Sequence, residues 1–168
     1  LESGIKTENP TLIDVTKVVS NVDMSEVAGH FENKSALEVA ASGGHNLLMI
    51  GAPGSGTTML AERFPTLLPP LDETEAIEVS GIHSIAGTLH DRNVLSTEPP
   101  FVAPHHSTTI PALVGGGSKY IKPGACSLAH HGVLFIDEAP ECGAGILDAL
   151  RQPMESGSIT ITSSALTT

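Results

Sequence analysis

Positive charge is scarce in this chain of 168 residues: 8 lysines and arginines stand against 19 aspartates and glutamates, giving a formal net charge of −11. Such a balance opposes long-range attraction to polyanions, so this stretch by itself is not expected to grip DNA. A solubilising acidic surface is the simpler reading. Cysteine is scarcer still. Cys126 and Cys142 are far apart in sequence and neither belongs to a C-x2-C pair, which argues against a zinc framework and a disulfide scaffold and favours two core thiols in a reducing compartment. No apolar run approaches the roughly 18 residues that a membrane-spanning helix needs, and no secretory leader is recognisable. The opening residues carry neither a helical nor a strand period. They read as a weakly structured leader, 1–22, ahead of one domain over 23–168.

The most consequential absence is a single residue. Gly51-Ala52-Pro53-Gly54-Ser55-Gly56-Thr57-Thr58 follows the phosphate-loop pattern G-x4-G-K-[ST] except that Thr57 stands where the lysine belongs. The loop cradles phosphate with backbone N–H groups, and the lysine adds the charge that reaches the outer phosphates. The surroundings have the required order. Asn46-Leu47-Leu48-Met49-Ile50 is a short apolar run that predicts a buried strand ending at Gly51, and Thr58 to Phe64 predicts a helix with Met59, Leu60 and Phe64 apolar. A helix starting there aims its free N–H groups and its dipole at an anion.

A second element points the same way. Val133-Leu134-Phe135-Ile136-Asp137-Glu138 is an apolar run ending in two carboxylates. A buried parallel strand of this kind delivers acids to the sheet edge that carries the phosphate loop. In a P-loop nucleotidase Asp137 helps the Thr58 hydroxyl hold Mg²⁺, and Glu138 polarises the water that attacks the γ-phosphate. Each element alone also fits a bland reading, as a tight turn or as a core strand with a solvated acidic end. Together they make nucleotide binding the leading class.

Collinear stretches then carry a resemblance. Among them are Glu26-Val27-Ala28-Gly29, Leu67-Leu68-Pro69-Pro70-Leu71, Ile82-His83-Ser84-Ile85-Ala86-Gly87, Ala103-Pro104-His105-His106, Ser127-Leu128-Ala129-His130 and Leu147-Asp148-Ala149-Leu150-Arg151-Gln152-Pro153. From about Asp23 to Thr162 the chain resembles the AAA+ module of the magnesium-chelatase I-subunit family, and most closely its ComM-type competence-protein branch. The resemblance implies an α/β P-loop NTPase core, with a parallel sheet and flanking helices. It implies ATP against Gly51, Pro53, Gly54, Ser55, Gly56, Thr57, Thr58 and Met59, Mg²⁺ against Thr58 and Asp137, and Glu138 as the catalytic residue. It further implies a cytoplasmic protein that self-associates into a hexameric ring. ComM-type members act on DNA and chelatase members insert magnesium into a porphyrin. DNA is thus a partner for a full-length member rather than for this acidic stretch.

Departures from the family pattern all remove positive charge: Thr57 in the loop, Val102 before Ala103-Pro104-His105-His106, and Ser163 after the late strand. A charge-assisted hydrogen bond contributes about 1.5–3 kcal/mol, so losing the lysine alone should weaken phosphate binding about 10- to 150-fold. Hydrolysis should suffer more, because the transition state carries more charge. The expectation is an impaired ATPase, with a non-catalytic ring scaffold or regulatory subunit as the alternative. The pattern also predicts that the strand lying between the loop strand and the acid strand, the arginine finger and the lid do not occur before Thr168. The two flanking strands would then share a gap.

The remaining features are weaker. His105-His106 and His130-His131 are adjacent pairs, which on a strand would point to opposite faces, so a ligand cage is not expected. Lys119, Tyr120 and Lys122 form a basic-aromatic cluster in a glycine-flanked loop. Helices are predicted over 33–41, 73–79 and 145–155, the last bent or ended by Pro153, and strands over 99–103 and 158–162.

Overall fold

Two helical starts are written as capping boxes. Asp23 accepts from the Ser25 amide ahead of a 3₁₀ turn, Met24–Glu26, while the Glu26 carboxylate takes the Asp23 amide. Asp72 and Glu75 repeat the device at 2.9 Å in both directions, satisfying amides that the first helical turn leaves without partners. In this computed structural model residues 22–89, 95–116 and 121–161 are described. The elements run α1 (Phe31–Gly43), α2 (Thr57–Arg63), a 3₁₀ turn (Phe64–Leu67), α3 (Glu73–Ala86), β1 (Phe101–Val102), α4 (Ile110–Val114), α5 (Ala125–Leu128), β2 (Val133–Leu134), a 3₁₀ turn (Ala139–Glu141) and α6 (Ala144–Ser156). Helices α1, α3 and α6 each end on a left-handed glycine, Gly44, Gly87 and Gly157, the residue that adopts positive φ without penalty.

Strands β1 and β2 pair in parallel, Phe101 opposite Val133 and Val102 opposite Leu134. The ladder continues as the Phe135 amide donates to the Val102 carbonyl at 2.9 Å. Parallel neighbours need a crossover, and here it carries α4 and α5. The strands approach closely at Gly132, where a Cβ would overlap the Pro100 carbonyl oxygen. Beneath β2 lies the largest buried cluster: Leu113, fully buried, with Ala125, Cys142, Ile146 and Leu150, against which Val102, Leu134 and Ile136 pack. A second cluster joins Met24, Val27, Leu37 and Leu60 under the phosphate loop, with Met49 and Met59 against it. A third, of Leu71, Ala76 and Val79, sits on α3. Both cysteines are free, and burial pushes the Cys126 thiol up from its ordinary value.

Several expectations need correction. Residues 46–50 form no strand. Leu48 is 79% and Ile50 89% exposed, and among the described residues no strand pairs with them. An apolar run becomes a strand only when a neighbour takes its backbone bonds, and here a cavity of about 230 Å³ separates this segment from β2. Residues 158–161 are likewise not a strand; Ile161 instead packs over Gly115. Helix α3 runs on through Ser80 and Gly81 to Ala86, because its cap and its buried face outweigh the cost of one mid-helix glycine, about 1 kcal/mol. Helix α6 continues past Pro153 to Ser156; in the last turn the ring forfeits a single backbone bond. Strand β1 is shorter than the predicted 99–103. Residues 1–21 of the leader predicted over 1–22, with Lys119, Tyr120 and Ser163, lie outside the described residues. Among the described residues no helix is long and apolar enough to cross a membrane.

Candidate nucleotide site

The loop is built from the residues that its turns demand. Gly54 and Gly56 adopt φ of 77° and 87°, a region that side chains disfavour. Pro53 opens the turn, and the Ser55 amide donates to the Ala52 carbonyl at 3.0 Å. At Gly51 a Cβ would overlap the Ser55 hydroxyl, so a side chain there would force Ser55 to another rotamer. Gly56 then caps α2. The backbone N–H groups of Thr57, Thr58 and Met59 thus fall in the first turn, where no intrahelical acceptor exists. The Met59 side chain faces inward against the cluster of Met24, Val27, Leu37 and Leu60.

The loop and the acid strand meet. Thr58 Oγ1 donates to Asp137 Oδ2 at 3.3 Å, across a large sequence separation. The other Asp137 oxygen accepts the Glu138 amide at 2.9 Å, which accompanies a left-handed backbone at Glu138, φ 50°. That turn carries the Glu138 carboxylate to 3.8 Å from His106 Nδ1. The His105 and His106 rings stand with centroids 3.9 Å apart, and His105 Nδ1 is held by the Ser107 hydroxyl at 2.8 Å. A cavity of about 360 Å³ opens among Thr58, Glu62, His105, His106, Asp137 and Glu138.

Among the described residues no lysine or arginine lines this cavity. The described basic side chains are engaged or placed elsewhere: Lys34 donates to the Val27 carbonyl, Arg63 pairs with Glu26 at 3.4 Å, Arg151 pairs with Glu155 at 3.4 Å, and Lys122 is exposed beside the Gly116 bridge. Among the described residues the site sets the carboxylates of Glu62, Asp137 and Glu138 beside the imidazoles of His105 and His106.

Two contributors escaped the sequence reading. Glu62 lies one turn beyond Thr58 on α2, a spacing that puts both on one helix face, so that signal was available. His30 approaches Gly56 through a left-handed backbone at the start of α1, φ 53°, and no local pattern announces such a conformation at a histidine.

Residues 23–168 match a protein family described as magnesium chelatase, subunit ChlI. The chain belongs to that family. Its α/β core with a parallel strand pair is the P-loop core of this ChlI-type group. The chain is 53% identical over 140 residues to an uncharacterized protein of Mycobacterium tuberculosis, a match covering 83% of this chain and 28% of that protein. It is 50% identical over 143 residues to competence protein ComM of Haemophilus influenzae, covering 84% and 28%. The magnesium-chelatase 67 kDa subunit of Heliobacterium mobile is more distant, 25% identical over 163 residues, covering 81% and 24%. The ChlI-type chain thus spans less than a third of the length of these curated relatives.

Proposed function

We propose that this chain forms the ATP-binding AAA+ domain of a ComM-like member of the chelatase family, with hydrolysis impaired by Thr57. The observation that carries the reading is the meeting of Thr58 Oγ1 and Asp137 Oδ2 at 3.3 Å. Adjacent oxygen ligands around an octahedral Mg²⁺ lie roughly 2.9 Å apart when its bonds are about 2.0–2.1 Å, so the pair fits that ion with a small adjustment. The cradle of Gly51, Gly54, Ser55 and Gly56 fits phosphate oxygens. Mg²⁺-ATP, when bound, supplies a terminal phosphoryl group as the electrophile and a cation that offsets its charge.

The chain's own residues supply the remainder. Backbone N–H groups at Gly54 to Met59 bind and orient the phosphates. Thr58 and Asp137 hold the metal, and Glu138, turned out by its left-handed backbone, is placed to accept a proton from a water in the cavity. His106 lies close enough to Glu138 to orient its carboxylate. With Thr57 in the lysine position, Glu62, Asp137 and Glu138 would stand near the outer phosphates with no lysine or arginine among the described lining residues.

Calorimetric titration of the chain with ATP and Mg²⁺, beside its Thr57→Lys variant, tests this. The variant should bind about 10- to 150-fold more tightly and turn over ATP that the parent hydrolyses slowly or not at all. Ordinary turnover by the parent would overturn the assigned impairment, and no binding by either protein would overturn the nucleotide reading. The acidic cavity favours a second reading as well, a non-catalytic ring subunit that keeps the fold for assembly. On that reading Thr57→Lys restores binding without turnover, while light scattering reports a self-associated mass. The reading extends to a ring of such chains in the cytoplasm, with DNA as the partner of a full-length protein, as the resemblance to ComM-type members implies.

A further inference from the structure

A separate cluster lies away from the nucleotide site, on the face where α3 meets the turn between α5 and β2. His130 and His131 are neighbours in sequence, yet their rings stand on the same side, with centroids 3.9 Å apart and planes at 51°. The cause is local. His131 adopts a left-handed backbone, φ 55°, so the alternation that would send the rings to opposite faces of a strand is broken. Both rings converge on one atom: Glu78 Oε2 lies 2.8 Å from His131 Nε2 and 3.3 Å from His130 Nε2. Helix α3 is pinned there independently, because His83 Nε2 bonds the Leu128 carbonyl of α5 at 3.1 Å.

The far side of His131 carries a second carboxylate. Its Nδ1 lies 3.6 Å from Glu75 Oε1, one turn back on α3. A neutral imidazole has one N–H to give. At 2.8 Å from Glu78 Oε2, Nε2 is the nitrogen placed to give it, while Nδ1, 3.6 Å from Glu75, lies beyond hydrogen-bond reach. A cation taking the place of that proton would bind both atoms and leave the imidazole N–H on the Glu75 side. A carboxylate behind a ligating histidine is also the common outer support of zinc sites, where it fixes the tautomer.

We propose that Glu78, His130 and His131 form a binding site for a zinc-class divalent ion that fastens α3 to the turn leading into β2. The three ligand atoms lie within 4.8 Å of one another. Tetrahedral zinc with bonds of about 2.0–2.1 Å separates its ligands by roughly 3.3 Å, so the His130 edge already fits and the His131 edge must open by about half an ångström. Two imidazoles and one carboxylate form a set that suits zinc better than Mg²⁺ or Ca²⁺, which prefer oxygen. All three side chains are reached from solvent, which gives the ion a path in and leaves a fourth position for water. The role follows from the placement: the ion would tie down the start of the strand that carries Asp137.

Zinc titration of the chelator-treated, nucleotide-free chain against a chromophoric competitor tests the site. The expected result is saturable one-to-one uptake, with cobalt giving the intense visible absorption of a tetrahedral centre. His131→Asn removes a ligand and keeps a residue that tolerates the left-handed backbone; Glu78→Gln removes the carboxylate charge with little change of shape. Each should weaken zinc binding at least about tenfold and abolish the cobalt spectrum, while His106→Asn should leave both unchanged. Glu78→Gln, at an exposed position, keeps the test valid if His131→Asn does not fold. Absence of saturable uptake, equal affinity in the parent and Glu78→Gln, or loss confined to His106→Asn would each overturn the proposal.

Discussion

Two stretches of this molecule share a composition and differ in fate. Residues 46–50 and 133–136 are both short apolar runs that lead directly into the two halves of the proposed nucleotide site, the glycine-rich loop in one case and Asp137-Glu138 in the other. The second has a neighbour: the carbonyls of Pro100 and Val102, just before and in β1, take the amides of Val133 and Phe135, and Leu134 and Ile136 pack on the cluster around Leu113. The first has none among the described residues, and its Leu48 and Ile50 side chains lie in solvent. Hydrophobicity places a strand in the interior only when another strand completes its hydrogen bonds. Of the two halves of the site, the acid half is therefore held by packing and pairing. The loop half is held by its glycine turns and by α2.

The largest break in that comparison should come from the acid half. Leu113 is fully buried at the centre of its cluster, and truncating a buried leucine to alanine costs about 3–5 kcal/mol once the cavity is included. Leu113→Ala should therefore lower the denaturant midpoint sharply and loosen β2, with Asp137 moving relative to Thr58. A smaller cost, about 1–3 kcal/mol, is expected of Gly132→Ala. Its Cβ would press on the Pro100 carbonyl and ring, and backbone cannot swing aside as a side-chain tip can. Native-state hydrogen exchange on Gly132→Ala should show the Val133 and Phe135 amides losing protection first. Unchanged exchange there would mean that the two-strand ladder contributes little to holding the acid half.

Much of this was legible in the sequence, for identifiable reasons. Glycine turns, capping boxes and glycine stops are local devices, so α1, α2, the start of α3 and the phosphate loop could be placed from spacing alone. The convergence of Thr58 with Asp137 followed from the order of the motifs. What escaped depends on neighbours or on single dihedrals. The state of 46–50 is decided by a partner strand rather than by its own residues. The left-handed backbones at His30, His131 and Glu138 occur at residue types that give no local warning, and at His131 the reversal turns a histidine doublet into convergent rings. The expectation that adjacent histidines diverge holds for a strand; it fails at a turn.

The smallest effect separates the two stretches most cleanly. Leu48 and Ile50 are two residues apart, so in an extended segment they share a face, and that face is the exposed one. Met49, between them, turns inward against the cluster that includes Leu37 and Leu60. Replacing both exposed residues, Leu48→Ser with Ile50→Ser, removes apolar surface that folding of this chain does not bury. Equilibrium unfolding should thus shift by no more than about 0.5 kcal/mol per site, as for other exposed positions. Met49→Ser should cost measurably more, because it opens the cluster beneath the loop. The double variant should also self-associate less in light scattering, since exposed apolar side chains along an unpaired extended segment invite pairing between molecules. If instead the double serine variant unfolds as readily as Leu113→Ala, the segment is buried in solution. The contrast drawn between the two halves would then fail at its simplest point.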